Sequence, residues 1–367
     1  MSYRALLIGL LLGVIGACSS KSPPPDFAPD PGLVANITEL RLSTASDVIC
    51  PGQTVRADYE AVLRDGTVVP FARSYDKDRP PALHVVFLNR YSREAVSQED
   101  GDWSTDPDPL VSGMNGFEFR VDLKARPELS ASTVVAPEYS CLRHAFRFVG
   151  ATGRPGRPGF SGPDVLLRLA VLRSPFYERL LVLGIEVGDA PPFFVLQDAD
   201  AVPPADWFVI ESIGGSGGRG VSGADGAAGA KGADGCPGGR GGAGGAGGNG
   251  GPGGPGGPGG PITIIAPTDQ PFLAGLVDGR TVGGRGGPGG SPGEGGPGGA
   301  GGTGTVVDAR RCPDGTAGPA GADGAAGPDG APGGPGVRPR VITVSPPDVF
   351  GTRAPQRLRA LVDFTRK

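Results

Sequence analysis

The sequence predicts a mainly β protein carrying a glycine-repeat module of extended runs, and three observations predict it. Apolar and polar residues alternate with period two through much of 33–212, the mark of half-buried strands. Glycine recurs at every third residue from Gly214 to Gly259, sixteen times without a break, and again over Gly284–Gly302 and Gly315–Gly336. Glycine (68) and proline (40) together approach a third of the 367 residues, far above ordinary usage. The excess is local, so the remaining chain keeps enough Leu, Val, Ile and Phe to bury a core. The formal net charge is −4, and residues 214–338 hold eight basic against nine acidic residues. No basic stripe exists to neutralise phosphates, which excludes nucleic acid as a partner.

At the N-terminus, Tyr3 and Arg4 form a short positive segment and Ala5 to Val14 an apolar one. The apolar run ends at Ile15-Gly16-Ala17-Cys18 after about 13 residues, short of the roughly 20 that span a bilayer. These residues resemble the lipobox of bacterial lipoproteins. The resemblance implies that residues 1–17 are a cleaved signal peptide and that the Cys18 thiol carries diacylglycerol. Acyl chains on one residue then tether the protein, each buried methylene contributing roughly 0.8 kcal/mol. Residues 18–32, with Ser19 to Pro25 and on to Pro31, read as a polar, extended, Pro-rich tether. By the lipoprotein sorting convention, Ser19 points to the outer membrane.

Residues 33–150 read as a β-sandwich domain. Val55, Ala57, Tyr59, Ala61 and Leu63 share one face, Asp65-Gly66 makes a turn, and Phe117, Phe119, Val121 and Leu123 repeat the pattern, as do His144, Phe146 and Phe148. Ile37 to Leu42, Gly52-Gln53-Thr54-Val55 and Asp65-Gly66-Thr67 resemble bacterial Ig-like domains over 37–69. That resemblance implies a spacer or adhesion module with no catalytic residue. Residues 151–212 read as a second β-rich unit, with Leu167, Leu169 and Val171 and then Leu181, Leu183, Ile185 and Val187 forming a hairpin. Arg154 to Gly159 reads as a linker or long loop. Whether these units make one domain or two stays open at this point.

Within 213–340 the period of three means polyproline II geometry, with three residues per turn and about 3.1 Å rise. A collagen triple helix needs one glycine per triplet. A polyglycine II bundle packs runs of one chain side by side, so each face meeting a neighbour needs glycine. The central triplets are Gly-Gly-X, as in Gly238-Gly239-Arg240 and Gly283-Gly284-Arg285. A second glycine costs backbone entropy without helping collagen, so lateral packing is the better account. Cys236-Pro237-Gly238-Gly239 and Cys312-Pro313-Asp314-Gly315 have turn composition and help divide the region into four runs, 214–235, 238–261, 283–304 and 315–336. The expectation is a four-run antiparallel bundle layered 1-2-3-4, with Gly-X-Y runs at the edges. Cys236 and Cys312 then meet at one end. In an exported chain this suits a disulfide Cys236–Cys312 and, by elimination, Cys50–Cys141. Apolar Ile262 to Ile265, Phe272 to Ala274 and Val341 to Val344 are placed at the bundle base, and 341–367 as a strand and short helix. The repeat grammar resembles glycine-rich antifreeze proteins and phage tail adhesins, and more loosely collagen-like bacterial lipoproteins.

No catalytic constellation emerges. His84 and His144 lie inside apparent strands and read as structural residues. Gly214 to Gly218 matches G-x-S-x-G, and other stretches match G-x-G-x-x-G, but neither has the helix that those motifs need. Asp100, Asp102, Asp106 and Asp108, with Glu99, form an acidic loop offering oxygen ligands to calcium. The loop lacks the glycine and distal glutamate of an EF-hand and reads as solvated. The expectation is therefore a non-enzymatic, monomeric cell-envelope lipoprotein with no cofactor or metal. Its role is structural or adhesive, toward glycan or another cell-surface protein. The alternatives are a trimeric collagen-like stalk and a flat-face binder of glycan or ice.

Overall fold

Residues 23–351 and 354–366 are described by the computed structural model, so Cys18 and its signal segment lie outside them. The chain divides into two units. The first comprises residues up to Pro107 together with Asn115–Glu138. Asp30 caps a short helix α1 (Pro31–Asn36), its carboxylate accepting from the N–H groups of Gly32 and Leu33. Ten strands follow: β1 (Ile37–Thr44), β2 (Val48–Ile49), β3 (Thr54–Val55), β4 (Ala57–Leu63), β5 (Val68–Pro70), β6 (Leu88–Tyr91), β7 (Ala95–Ser97), β8 (Trp103–Thr105), β9 (Phe117–Leu123) and β10 (Arg126–Pro137). They form three sheets, β1-β4-β5, β2-β10-β9-β6 and β3-β8-β7. The alternation in β4 and β9 buries Ala57, Tyr59, Ala61, Phe117, Phe119 and Val121 around Trp103. The indole N–H of Trp103 donates to Tyr59 Oη at 2.9 Å, so the buried polar ends satisfy each other.

The second unit comprises Asp108–Met114 and everything from Tyr139 onward. The expected boundary at 150 therefore falls earlier. The reason is pairing: β11 (Ala145–Val149) lies parallel to β15 (Phe208–Ile213), which lies parallel to β17 (Val277–Val282). A second sheet has the order β14-β13-β12-β16-β20, with β12 (Val165–Leu172), β13 (Leu180–Val187), β14 (Phe193–Asp198), β16 (Ile262–Pro267) and β20 (Arg340–Val344). The hairpin expected from the two leucine-rich stretches forms, Leu169 facing Leu183. Leu167, Leu183, Ile185, Phe208, Ile210 and Ile264 from both sheets share one core. On the five-stranded sheet, helices α2 (Pro109–Ser112) and α3 (Gln356–Thr365) bury Leu110, Leu358 and Leu361 with Leu172, Leu180 and Leu196. The repeats are thus followed by a strand and a helix.

Parallel neighbours need a long crossover between them, usually a helix. Here each path between parallel neighbours passes from one sheet to the other through a hairpin of extended chain. The chain leaves the three-stranded sheet at the ends of β11, β15 and β17 and enters the five-stranded sheet at β12, β16 and β20. Hairpin I runs out along 150–154 and back along 157–162. Hairpin II uses 214–235 and 238–261, and hairpin III uses 283–304 and 315–336. The outgoing legs continue the β ladder without a break, since Gly150 N–H donates to Ile213 O and Gly214 N–H to Val282 O, both at 2.8 Å. Arg154 to Gly159, expected to be a linker or long loop, holds the turn of hairpin I, closed by Arg157 N–H donating to Arg154 O at 2.8 Å, and the start of its returning leg.

Candidate functional site: the hairpin bundle and its apex

The legs of the hairpins pack in two layers rather than in the single 1-2-3-4 layer expected. Outgoing legs lie parallel to one another. Gly220, Gly223, Gly226, Gly229 and Gly232 donate to the carbonyls of Pro288, Ser291, Glu294, Pro297 and Ala300 at 2.8–2.9 Å. Returning legs are likewise parallel, with Gly241 donating to Thr316, Gly244 to Pro319 and Gly247 to Ala322, each at 2.9 Å. Between layers the legs run antiparallel. Gly242 donates to Ala230 O at 2.7 Å, Gly299 to Gly242 O at 2.9 Å and Gly318 to Gly299 O at 2.8 Å. The returning leg of hairpin II and the outgoing leg of hairpin III thus each touch three other long legs. The first and fourth runs touch two, which matches their Gly-X-Y composition.

Steric room explains the glycines. A Cβ on Gly299 would fall 2.0 Å from Ala230 O, one on Gly241 1.9 Å from Gly299 O, and one on Gly318 1.9 Å from Gly242 O. Backbone atoms fill those places and cannot move aside, so any side chain separates two legs.

Several outward-facing N–H groups are handled in one of two ways. Asp225 accepts from Glu294 N–H at 2.9 Å, Asp234 from Thr303 at 2.6 Å, Asp323 from Gly295 at 2.8 Å, Asp329 from Gly289 at 2.8 Å and Asp314 from Gly304 at 2.7 Å. Asn249 accepts from Ala325 N–H at 2.8 Å. Elsewhere proline removes the donor outright, as at Pro288 and Pro297 in the same outward row as Glu294 and Thr303. Asp234 is held below the usual carboxylate range by Lys231 and by the Thr303 N–H, and Asp314 by the Gly304 N–H.

Hairpins II and III meet at the far end. Cys236 and Cys312 are disulfide-bonded there with Cα atoms 5.2 Å apart, 76 residues apart in sequence. Beside them β18 (Val306–Val307) pairs with β19 (Arg310–Arg311), turning through Asp308 and Ala309 at φ 49° and 62°. Two successive positive φ values match the tight turn that suits the twist of a two-residue hairpin. Val306 is 65% exposed and Val307 50%. Arg311 pairs with Asp314 at 3.5 Å. The apex therefore presents apolar and basic groups on a fastened turn.

The other residues singled out from sequence are spread through the fold. Cys50 and Cys141 are each disulfide-bonded. Asp102 is paired with Arg73, Asp100 accepts from Asp102 N–H at 3.1 Å, and Asp108 caps α2 through Leu110 N–H and faces Arg357 at 3.4 Å. Asp106 donates its N–H to Glu94 O at 2.9 Å. No cluster of three or more His, Cys, Asp or Glu placed to hold a metal occurs among the described residues. His84 is buried, its Nδ1 accepting from Val86 N–H, and burial lowers its pKa. His144 stacks on Trp207 at 6.0 Å. Ser216, in the G-x-S-x-G match, sits on an outgoing leg and its carbonyl accepts from Gly153 N–H. No helix of the described residues is long and apolar enough to cross a membrane. Sequence reasoning missed hairpin I, although Gly150, Gly153, Gly156, Gly159 and Gly162 keep the same period of three. No known family, curated protein or solved structure matches the chain.

Proposed function

We propose that the chain is a monomeric cell-envelope lipoprotein, anchored by lipid on Cys18, in which the hairpin legs form a polyglycine II bundle. The bundle serves as a stiff, non-catalytic post for surface recognition, with glycan or another surface protein as the partner class. The observation that carries this reading is that glycine N–H groups on every long leg bond to carbonyls of other legs of the same chain at 2.7–3.2 Å. A collagen-like trimer would need those groups for its partner chains. The apex disulfide and the exposed Val306 and Val307 suit a post whose far end meets something. Legs of about 22 residues reach roughly 70 Å at the polyproline II rise.

Two measurements test it. Light scattering of the purified chain in mild detergent should give the mass of one chain, with a polyproline II circular dichroism band. A trimer that loses this band on dissociating contradicts the reading. Labelled palmitate should enter the wild-type protein and not Cys18→Ala, which should leave the membrane fraction. Unchanged processing and membrane retention of Cys18→Ala would remove the lipid anchor from the proposal.

A further inference from the structure

Hairpin I is short, and the lattice position of its returning leg continues beyond it. Along 157–162 that leg lies antiparallel to 214–235 and parallel to 238–261. Gly215 and Gly218 donate to Phe160 O and Arg157 O at 2.8 and 2.9 Å, while Gly159 and Gly162 donate to Pro255 O and Pro258 O, both at 2.9 Å. Toward the apex the same two legs go on in the same register. The next donors in the row are the N–H groups of Val221, Ala224, Ala227, Ala230 and Ala233, and the next acceptors the carbonyls of Pro252, Asn249, Ala246, Ala243 and Arg240. Among the described residues none of these ten groups makes a hydrogen bond, and all ten residues are exposed. Five turns of matched donors and acceptors, about 45 Å at the polyproline II rise, extend a contact that the chain already makes with itself.

Glycine placement says which neighbour the groove admits. At the base, a Cβ on Gly254 or Gly257 would strike the returning leg of hairpin I, 1.9 Å from Arg157 O and 2.0 Å from Phe160 O. Gly251, Gly248, Gly245, Gly242 and Gly239 keep that row free of Cβ toward the apex, where an added Cβ would meet nothing closer than 3.0 Å. The row facing the outgoing leg of hairpin I behaves oppositely. It is glycine only at Gly215 and Gly218, where a Cβ would lie 1.9 and 1.7 Å from Ala151 O and Arg154 O, and becomes Val221 and then alanine beyond. The lattice is closed on one side and kept open for one further strand. The opposite edge is capped in part: Asp329, Asp323 and Asp314 accept from Gly289, Gly295 and Gly304, and Pro292 stands in the same row without an N–H, while Gly298 and Gly301 carry no such cap among the described residues.

We infer that the groove between legs 214–235 and 238–261 binds an extended polypeptide segment of another protein, in polyproline II conformation with glycine at every third residue. The bound segment runs parallel to 238–261. Its glycine N–H groups donate to the five free carbonyls, and its X carbonyls accept from the five free N–H groups. Glycine is required because Gly159, at the equivalent place, would put a Cβ 2.0 Å from Gly215 O. This is strand addition to an open edge, with the three-residue period replacing the two-residue one. The inference deepens the recognition reading and rests on the bundle, not on the lipid anchor.

The test uses the full chain in mild detergent and a fluorescent 15-residue peptide repeating the Arg-Pro-Gly-Phe-Ser-Gly sequence of 157–162. Saturable binding is expected, and none for the same peptide with its glycines replaced by alanine. Ala227→Pro with Ala230→Pro deletes two donors at a φ that proline already favours, and should weaken binding about tenfold, two net hydrogen bonds' worth. Gly245→Ala with Gly248→Ala should abolish binding while the polyproline II band persists. No binding at millimolar peptide with the band intact overturns the groove alone, as does binding that ignores both double variants. Absence of the band in wild type would overturn the bundle and the groove together.

Discussion

The backbone N–H is the unit from which this bundle is built, and its outward aspartates and prolines each act on one. Legs without an apolar interior depend on hydrogen bonds worth only about 0.5–1.5 kcal/mol net each. Donors left unpaired at an edge also invite unwanted strands. Proline removes a donor at no conformational cost where φ is already near −75°. Aspartate supplies an acceptor from its side chain, as Asp234 does for Thr303 and Asp314 for Gly304. Both carboxyls are held below their usual range, Asp234 by Lys231 first and then Thr303, Asp314 by Gly304. A depressed folded pKa means stabilisation that is complete above the unfolded value of about 4 and lost as pH falls through the folded one. The melting temperature followed by circular dichroism should therefore stay level from about pH 7 to 5 and drop below about pH 4. In Asp234→Asn/Asp314→Asn that drop should shrink. An equal drop in the double variant would show that these caps do not carry the acid sensitivity.

At the scale of elements, leg packing decides which glycines matter, and composition alone does not rank them. Gly242 and Gly299 are both second glycines of Gly-Gly-X triplets, and they are bonded to each other. A Cβ on Gly299 would lie 2.0 Å from Ala230 O, whereas one on Gly242 would lie 3.1 Å from Ala230 N. Gly299→Ala should thus cost about 1–3 kcal/mol as an overpacked site. Gly242→Ala should be near neutral, since the lost chain entropy of glycine offsets a slight crowding by about 0.4–1 kcal/mol. Thermal melts of the two variants check this, and equal losses would contradict the packing. The alternation in β4 and β9 and the hairpin of β12 and β13 were legible because each strand buries one face or both against a nearby partner. The parallel pairing of β11, β15 and β17 was not, because it joins strands far apart in the chain, as Ala145 with Val209 and Phe208 with Val277. Hairpin I hid behind its arginines and prolines. Its trace was the doubled glycine at Gly214-Gly215 and Gly217-Gly218, which gives way to Gly220-Val221 where the neighbouring legs end.

In the molecule as a whole, the hairpins are crossovers between two sheets, so their bases are ordered by the β core while their far ends depend on themselves. The outgoing legs start from strands locked in parallel register, Val149 with Ile213 and Ile213 with Val282. Loss of order should therefore begin at the apex, where hairpins II and III rely on lateral bonds and on Cys236–Cys312. The bridge closes a loop of 76 residues. In the chain-entropy account a loop of that size is worth about 4 kcal/mol. For a unit of this size each kcal/mol moves the melting temperature by roughly 2–4 °C, so Cys236→Ser/Cys312→Ser should melt roughly 10 °C lower. Hydrogen exchange should place the new lability at the apex first: Gly232, Gly239, Gly302 and Gly315 should lose protection before Gly257 and Gly284, which lie nearer the sheets. Uniform loss along the legs would mean that the repeats melt as one cooperative block with the core. No loss in melting temperature would mean that the lateral bonds hold the apex without the bridge.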